Sequence, residues 1–93
     1  MGYKMKHVIK NDGQVEAFNS KKLAFSIEKT LIANHYGANK ARIIAEAVTS
    51  SIVEWLKVKT EVTYKDIRSQ VTKHLAKHDK GAAIFYKKHK DLW

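Results

Sequence analysis

His7-Val8-Ile9-Lys10-Asn11-Asp12-Gly13-Gln14-Val15-Glu16-Ala17-Phe18-Asn19-Ser20-Lys21-Lys22-Leu23 is the stretch that decides the fold. Two short β-compatible runs, 7–10 and 14–18, flank Asn11-Asp12-Gly13, which has the composition of a hairpin turn. Loop length sets which side chains share a face, because a one-residue slip inverts a strand. A two-residue Asp12-Gly13 turn pairs Ile9 with Glu16. A three-residue loop, with Gly13 in the left-handed region, pairs Lys10 with Gln14 and Val8 with Glu16, and this is the preferred register. It places Val8, Lys10, Glu16 and Phe18 on one face and leaves Ile9, Val15 and Ala17 on the other.

Beyond the hairpin, Asn19-Ser20 supplies an N-cap for a helix over 20–34. Leu23, Ile27 and Leu31 form its apolar stripe, widened by Ala24 and Ile32, and Gly37 acts as its C-terminal stop. A second helix covers 38–57, with Ile44, Val48, Ile52 and Trp55 on one face. Thr60-Glu61-Val62 is extended and offers a third strand. Thr63 then caps a third helix, with Asp66 completing a near capping box and Ile67, Val71 and Leu75 as the buried stripe. Asp79 caps a fourth helix over 80–90. The predicted class is α+β, a short N-terminal hairpin with a candidate third strand on a four-helix bundle. Neither the hairpin nor any one helix can bury its apolar side alone.

Composition bounds the rest. The 93 residues contain no proline and only four glycines, with no repeat or linker tract, and read as one domain over 1–93 with 1–6 as a flexible leading segment. The absence of cysteine excludes disulfide scaffolds, zinc ribbons and thiol nucleophiles. No apolar run approaches the roughly 20 residues of a membrane span, and no apolar stretch follows Lys4 and Lys6 to make a signal peptide. A cytoplasmic location without membrane contact is expected. Eighteen Lys and Arg against nine Asp and Glu give a net charge of +9, which calls for an acidic partner but also serves plain solubility.

One local conflict points to chemistry. Lys21 and Lys22 occupy the first turn of helix 1, where exposed N–H groups already make the field positive and a lysine is unfavourable by roughly 0.3–1 kcal/mol. A bound anion removes the conflict. With Lys10 brought near by the hairpin, Lys10, Lys22 and Lys21 become candidates to converge on a polyphosphate. Taken alone, the plainer alternative of solvated, screened lysines carries somewhat more weight. Glu16, diagonal to Lys10, is either a surface ion pair or an acceptor for an amino group such as that of adenine, walled by Val8, Phe18 and Leu23.

Other constellations are weaker. His74 and His78 have metal-compatible spacing but lack a third ligand on their face. The basic run 86–90 suits a helix C-terminus, and Trp55 reads as core. No phosphate-binding loop, dinucleotide fingerprint or nucleophile elbow is present.

The stretch from Val8 to Leu23 resembles the opening of the ATP-cone domain, whose pattern is approximately V-x-K-R-D-G-x-x-E-x-F-D-x-x-K-I. Val62-Thr63-Tyr64-Lys65-Asp66-Ile67 and the segment 79–86 fit the later parts in order. The resemblance implies a non-catalytic regulatory module that binds ATP or dATP, with Mg as a possible companion ion, and that reports their ratio through oligomeric state. In that family it is attached to ribonucleotide reductase subunits and to a zinc-ribbon repressor of their genes. By position, it implies that Val8, Phe18 and Leu23 line the base, that Glu16 and Lys22 bond base or ribose, and that Lys10 contacts phosphate. Tyr64 and Arg68 fall at nucleotide-contacting positions, with Lys88 or His89 completing the phosphate shell. Asn11 stands where an Arg is usual, removing a phosphate ligand, and Asn19 replaces a usual Asp with an equivalent cap. The resemblance reverses the weighting on Lys10, Glu16 and Lys22.

The partners implied are an adenine nucleotide, a ribonucleotide reductase subunit or other partner chain, and further copies of the domain. A small basic nucleic-acid-binding module is the runner-up, motivated by the charge and by Lys65, Arg68, Ser69, Gln70, Thr72 and Lys73 on helix 3. A small ATPase ranks third, for want of a phosphate loop and a base.

Overall fold

A computed structural model describes residues 7–10 and 12–89; Asn11, the leading segment 1–6 and residues 90–93 lie outside the described residues. The elements run β1 (His7–Ile9), β2 (Val15–Ala17), α1 (Ser20–Ala33), α2 (Ala38–Leu56), β3 (Val62–Thr63), α3 (Tyr64–Ala76) and α4 (Lys80–Lys88). The class is α+β, as expected.

The hairpin takes the three-residue loop. Val8 lies opposite Glu16 and Ile9 opposite Val15, and the Lys10 N–H donates to the Gln14 carbonyl at 2.8 Å. Gly13 has φ 87°, a conformation that penalises any Cβ. Asp12 fixes the turn by accepting from the Gln14 N–H at 3.0 Å. The third strand starts two residues later than the extended run suggested: β3 pairs with β1 in parallel, Val8 opposite Val62 and Ile9 opposite Thr63, giving the order β2-β1-β3.

Asn19 is the N-cap of α1, its side-chain oxygen accepting from the N–H groups of Lys21 and Lys22 at 3.0 and 3.1 Å. Leu23, Ile27 and Leu31 are fully buried, but Ile32 is 47% exposed. The stripe widens toward Ser26 and Thr30 instead. Thr30 Oγ1 donates back to the Ser26 carbonyl and Ser26 Oγ to that of Leu23, so these hydroxyls enter the core satisfied.

The end of α1 corrects a second expectation. His35, not Gly37, takes the left-handed conformation, with φ 73°. The His35 N–H bonds the Ile32 carbonyl and the Tyr36 N–H that of Leu31, both at 3.0 Å, the pairing of a Schellman motif. Gly37, with φ −68°, is instead the N-cap of α2. On α2 the buried face is Ala41, Ile44, Ala45, Val48, Ile52 and Leu56; Trp55 is half-buried beside it.

Thr63 and Asp66 form a full capping box at the start of α3, and Asp79 caps α4 by accepting from Ala82 N–H at 2.9 Å. Helices α1 and α2 pack together, α3 packs on α4, and a single core joins Val8, the stripes of α1, α2 and α3, and Ala82, Ala83 and Tyr86 of α4.

Candidate functional site

The hairpin leads straight into α1, and this junction makes a corner. Val8 and Leu23 are fully buried at its base, so they back the corner from within the core; Phe18 is the half-buried wall. Glu16 stands directly across from Val8 on the adjoining strand. Its Oε1 is buried and has no hydrogen-bond partner among the described residues, while its Oε2 lies 3.9 Å from Lys22 Nζ. That separation is at the outer limit of an ion pair, and Lys22 keeps about half of its side chain in solvent (49% exposed). Lys10 sits half-buried at the turn.

The first turn of α1 contains no acidic residue, so the positive helix end and the lysines remain uncompensated within the helix. Lys22 faces the corner, but Lys21 does not join it. Lys21 lines a shallow groove on the α2 side together with Glu46 and Glu54. Lys22 is thus the lysine of the three that Glu16 marks at the corner.

Parallel pairing of β3 with β1 starts α3 beside the strand end that carries Lys10. Tyr64, the first residue of α3, is 9% exposed. Arg68 lies one turn on, its guanidinium carbon 5.0 Å from the Tyr64 ring centre. Its Nη1 donates to the carbonyls of Tyr86 and His89 at 3.2 Å each. A cation there satisfies carbonyls that a helix end leaves open. Lys88 is exposed on the last turn of α4. His89 is engaged locally, its ring stacked on Phe85 at 3.8 Å and its Nδ1 2.9 Å from the Phe85 carbonyl.

Sequence reasoning missed the depth of Tyr86. The residue is 1% exposed, and burial pushes its hydroxyl up to about 12. Ser26 Oγ already donates to Leu23, so the 3.1 Å contact between the two hydroxyls is a donation from Tyr86 to Ser26. The sequence matches Tyr86 to the family pattern, in the segment 79–86, but gives no sign of its burial. Among the described residues no cluster suits a metal ion. His74 is held below the usual histidine range by burial and then by Lys77 and Lys73, surroundings that also repel a cation.

The family model described as the ATP cone domain matches residues 6–92. The chain belongs to the ATP-cone family. Its members are nucleotide-sensing regulatory domains rather than catalysts. Comparison with curated proteins yields no significant match. Among the described residues, no helix of this ATP-cone is long and apolar enough to cross a membrane.

Proposed function

We propose that this ATP-cone binds an adenine nucleotide, ATP or dATP, at the hairpin–α1 corner and acts as an allosteric sensor without catalysing a reaction. The observation that carries this reading is the Oε1 of Glu16, buried without a partner among the described residues, beside an exposed lysine. A buried acceptor without a donor is costly, by about 1–3 kcal/mol. The exocyclic amine of adenine supplies that donor, with Phe18 as a wall. Lys22 and Lys10 then face ribose or phosphate, and the positive start of α1 favours the anion. Tyr64 and Arg68, at the start of α3, and Lys88 complete the set that the family resemblance assigns. The nucleotide travels with Mg where its phosphates require it.

Sensing requires that the ligand prefer one of two states. We assign those states to different associations of the domain, with copies of itself or with a ribonucleotide reductase subunit whose activity or expression it adjusts. The test is calorimetry with ATP and dATP run beside size-exclusion chromatography, on the parent, Glu16→Ala and Lys22→Ala. Binding by the parent that weakens tenfold or more in both variants is expected. Equal heats from all three proteins remove the corner from the site, and no heat from the parent removes the function.

A further inference from the structure

The shallow groove between α1 and α2 holds about 350 Å³ and carries opposite charges on its two walls. Lys21 stands on the α1 wall, and Glu46 and Glu54 stand on the α2 wall. Glu54 pairs with Lys57, three residues on, at 2.8 Å. Among the described residues, no ion pair joins Lys21 to either carboxylate, and Glu46 has none at all. Opposite charges therefore face each other across the groove without meeting. None of the groove's residues belongs to the set assigned to the nucleotide, which uses the hairpin, Lys22 and Leu23 of α1, and residues of α3 and α4.

An unsatisfied hydroxyl marks the same place. Thr49 lines the groove and is only 7% exposed, and its Oγ1 is buried with no hydrogen-bond partner among the described residues. Ser26, Thr30 and Ser51 each donate to a carbonyl of their own helix, whereas Thr49 does not. Buried polar groups are as a rule satisfied, so an open one in the wall of a groove points to a ligand seated deep in it. Glu46 and Glu54 are eight residues apart, about 12 Å along the helix axis. Ala24 and Val53 add apolar surface on which an aliphatic stem can lie. The charge count then selects the ligand. Two carboxylates and one ammonium are complemented by two cations and one carboxylate on a methylene chain. A polyamine would leave Lys21 facing a like charge, and a neutral amino acid would leave one carboxylate unmatched.

We propose that the α1–α2 groove is a second ligand site, which takes a free basic α-amino acid such as arginine. Its α-carboxylate lies on Lys21, its two cationic groups on Glu46 and Glu54, its methylenes over Ala24 and Val53, and one N–H donates to Thr49 Oγ1. The site does not depend on the nucleotide reading.

The experiment is a titration of the full chain without ATP, followed by backbone amide NMR shifts and by calorimetry, with three probes. L-Arginine carries every contacting group, agmatine lacks the carboxylate, and L-citrulline lacks the side-chain cation. Saturable arginine shifts over 20–24 and 46–54 are expected, with agmatine and citrulline each about tenfold weaker or worse. Glu46→Gln is expected to weaken arginine about tenfold while its circular dichroism and its ATP affinity match the parent's. Lys21→Ala gives an opposed pair of signs: arginine binds more weakly, whereas agmatine binds as tightly as before or more so, because the repelling cation is gone. Thr49→Val keeps the shape without the hydroxyl and weakens arginine; if it fails to fold, the two charge variants carry the test. No saturation of the parent by arginine at about 10 mM overturns the proposal. So does agmatine or citrulline binding as tightly as arginine, and so does unchanged arginine binding by both charge variants. Shifts centred on Glu16, Phe18 and Lys22 place the amino acid in the nucleotide corner and overturn it too. With no nucleotide present, the ATP calorimetry succeeds or fails independently of all these outcomes.

Discussion

Glu16 shows what a single atom can carry. A carboxylate oxygen buried with no donor among the described residues lowers the stability of the ligand-free domain, and under the proposed function it awaits a ligand's donor. Glu16→Ala is therefore expected to leave the ligand-free melting temperature no lower than the parent's while costing about 1.5–3 kcal/mol of nucleotide binding. Thermal melts with and without ATP separate the two effects. Tyr86 makes the opposite case. Its hydroxyl is raised to about 12, so its neutral form is favoured by folding. That contribution is complete below the ordinary tyrosine value near 10 and is lost as pH climbs through the folded value. Tyr86→Phe leaves Ser26 bonded to Leu23, so a modest loss of about 0.5–1.5 kcal/mol is expected, together with a flatter stability profile above pH 10. Residue chemistry was partly legible beforehand: the three-residue loop put Glu16 on the Val8 face. The hydroxyls of Ser26 and Thr30 were not, because a polar residue reads as exposed until its partner is known. Arg68 was legible only by position, since the carbonyls it serves belong to another helix.

Helix ends carry most of the element-scale chemistry. Asp79 caps α4 and takes the Tyr36 hydroxyl from the α1–α2 connection, tying two helix pairs at one carboxylate. The Ala82 N–H, and then Tyr36, hold its carboxyl below the usual range. A depressed carboxylate contributes stability fully above its unfolded value, near 3.8, and loses it as pH falls through the folded one. Asp79→Asn keeps a cap without the charge. It should show a smaller loss of stability in acid titration below pH 4 than the parent, whereas Asp79→Ala should cost about 1–2 kcal/mol at neutral pH. At the far end of α1, His35 holds φ 73° with a Cβ in place. His35→Gly is expected to raise stability by about 1 kcal/mol, measured by denaturant midpoint, and a drop would show that its side chain makes a compensating contact. The four helices and their caps were readable because apolar spacing and capping residues are local signals. Gly37 misled for the same reason: glycine is the usual stop, yet the chain had already turned at His35.

The described part of the molecule is thin, 38 × 31 × 18 Å, with its core between the α1–α2 and α3–α4 pairs. A net charge of +9 works against compactness. Raising monovalent salt should therefore raise the melting temperature, and saturating nucleotide at about a hundredfold its Kd should add about 2.7 kcal/mol. A melting temperature that ATP leaves unmoved at that excess would contradict ligand binding to the folded state. The parallel β1–β3 pairing has a kinetic consequence. Joining Val8 to Val62 encloses both α1 and α2 within one loop. Helical hairpins close early and cheaply, whereas contacts distant along the chain wait for that closure. The central strand of the sheet thus acquires its second neighbour only after the intervening coils have condensed, and a ligand needing both the hairpin and the start of α3 would find its seat only then. A ligand that seizes it reports on a finished fold.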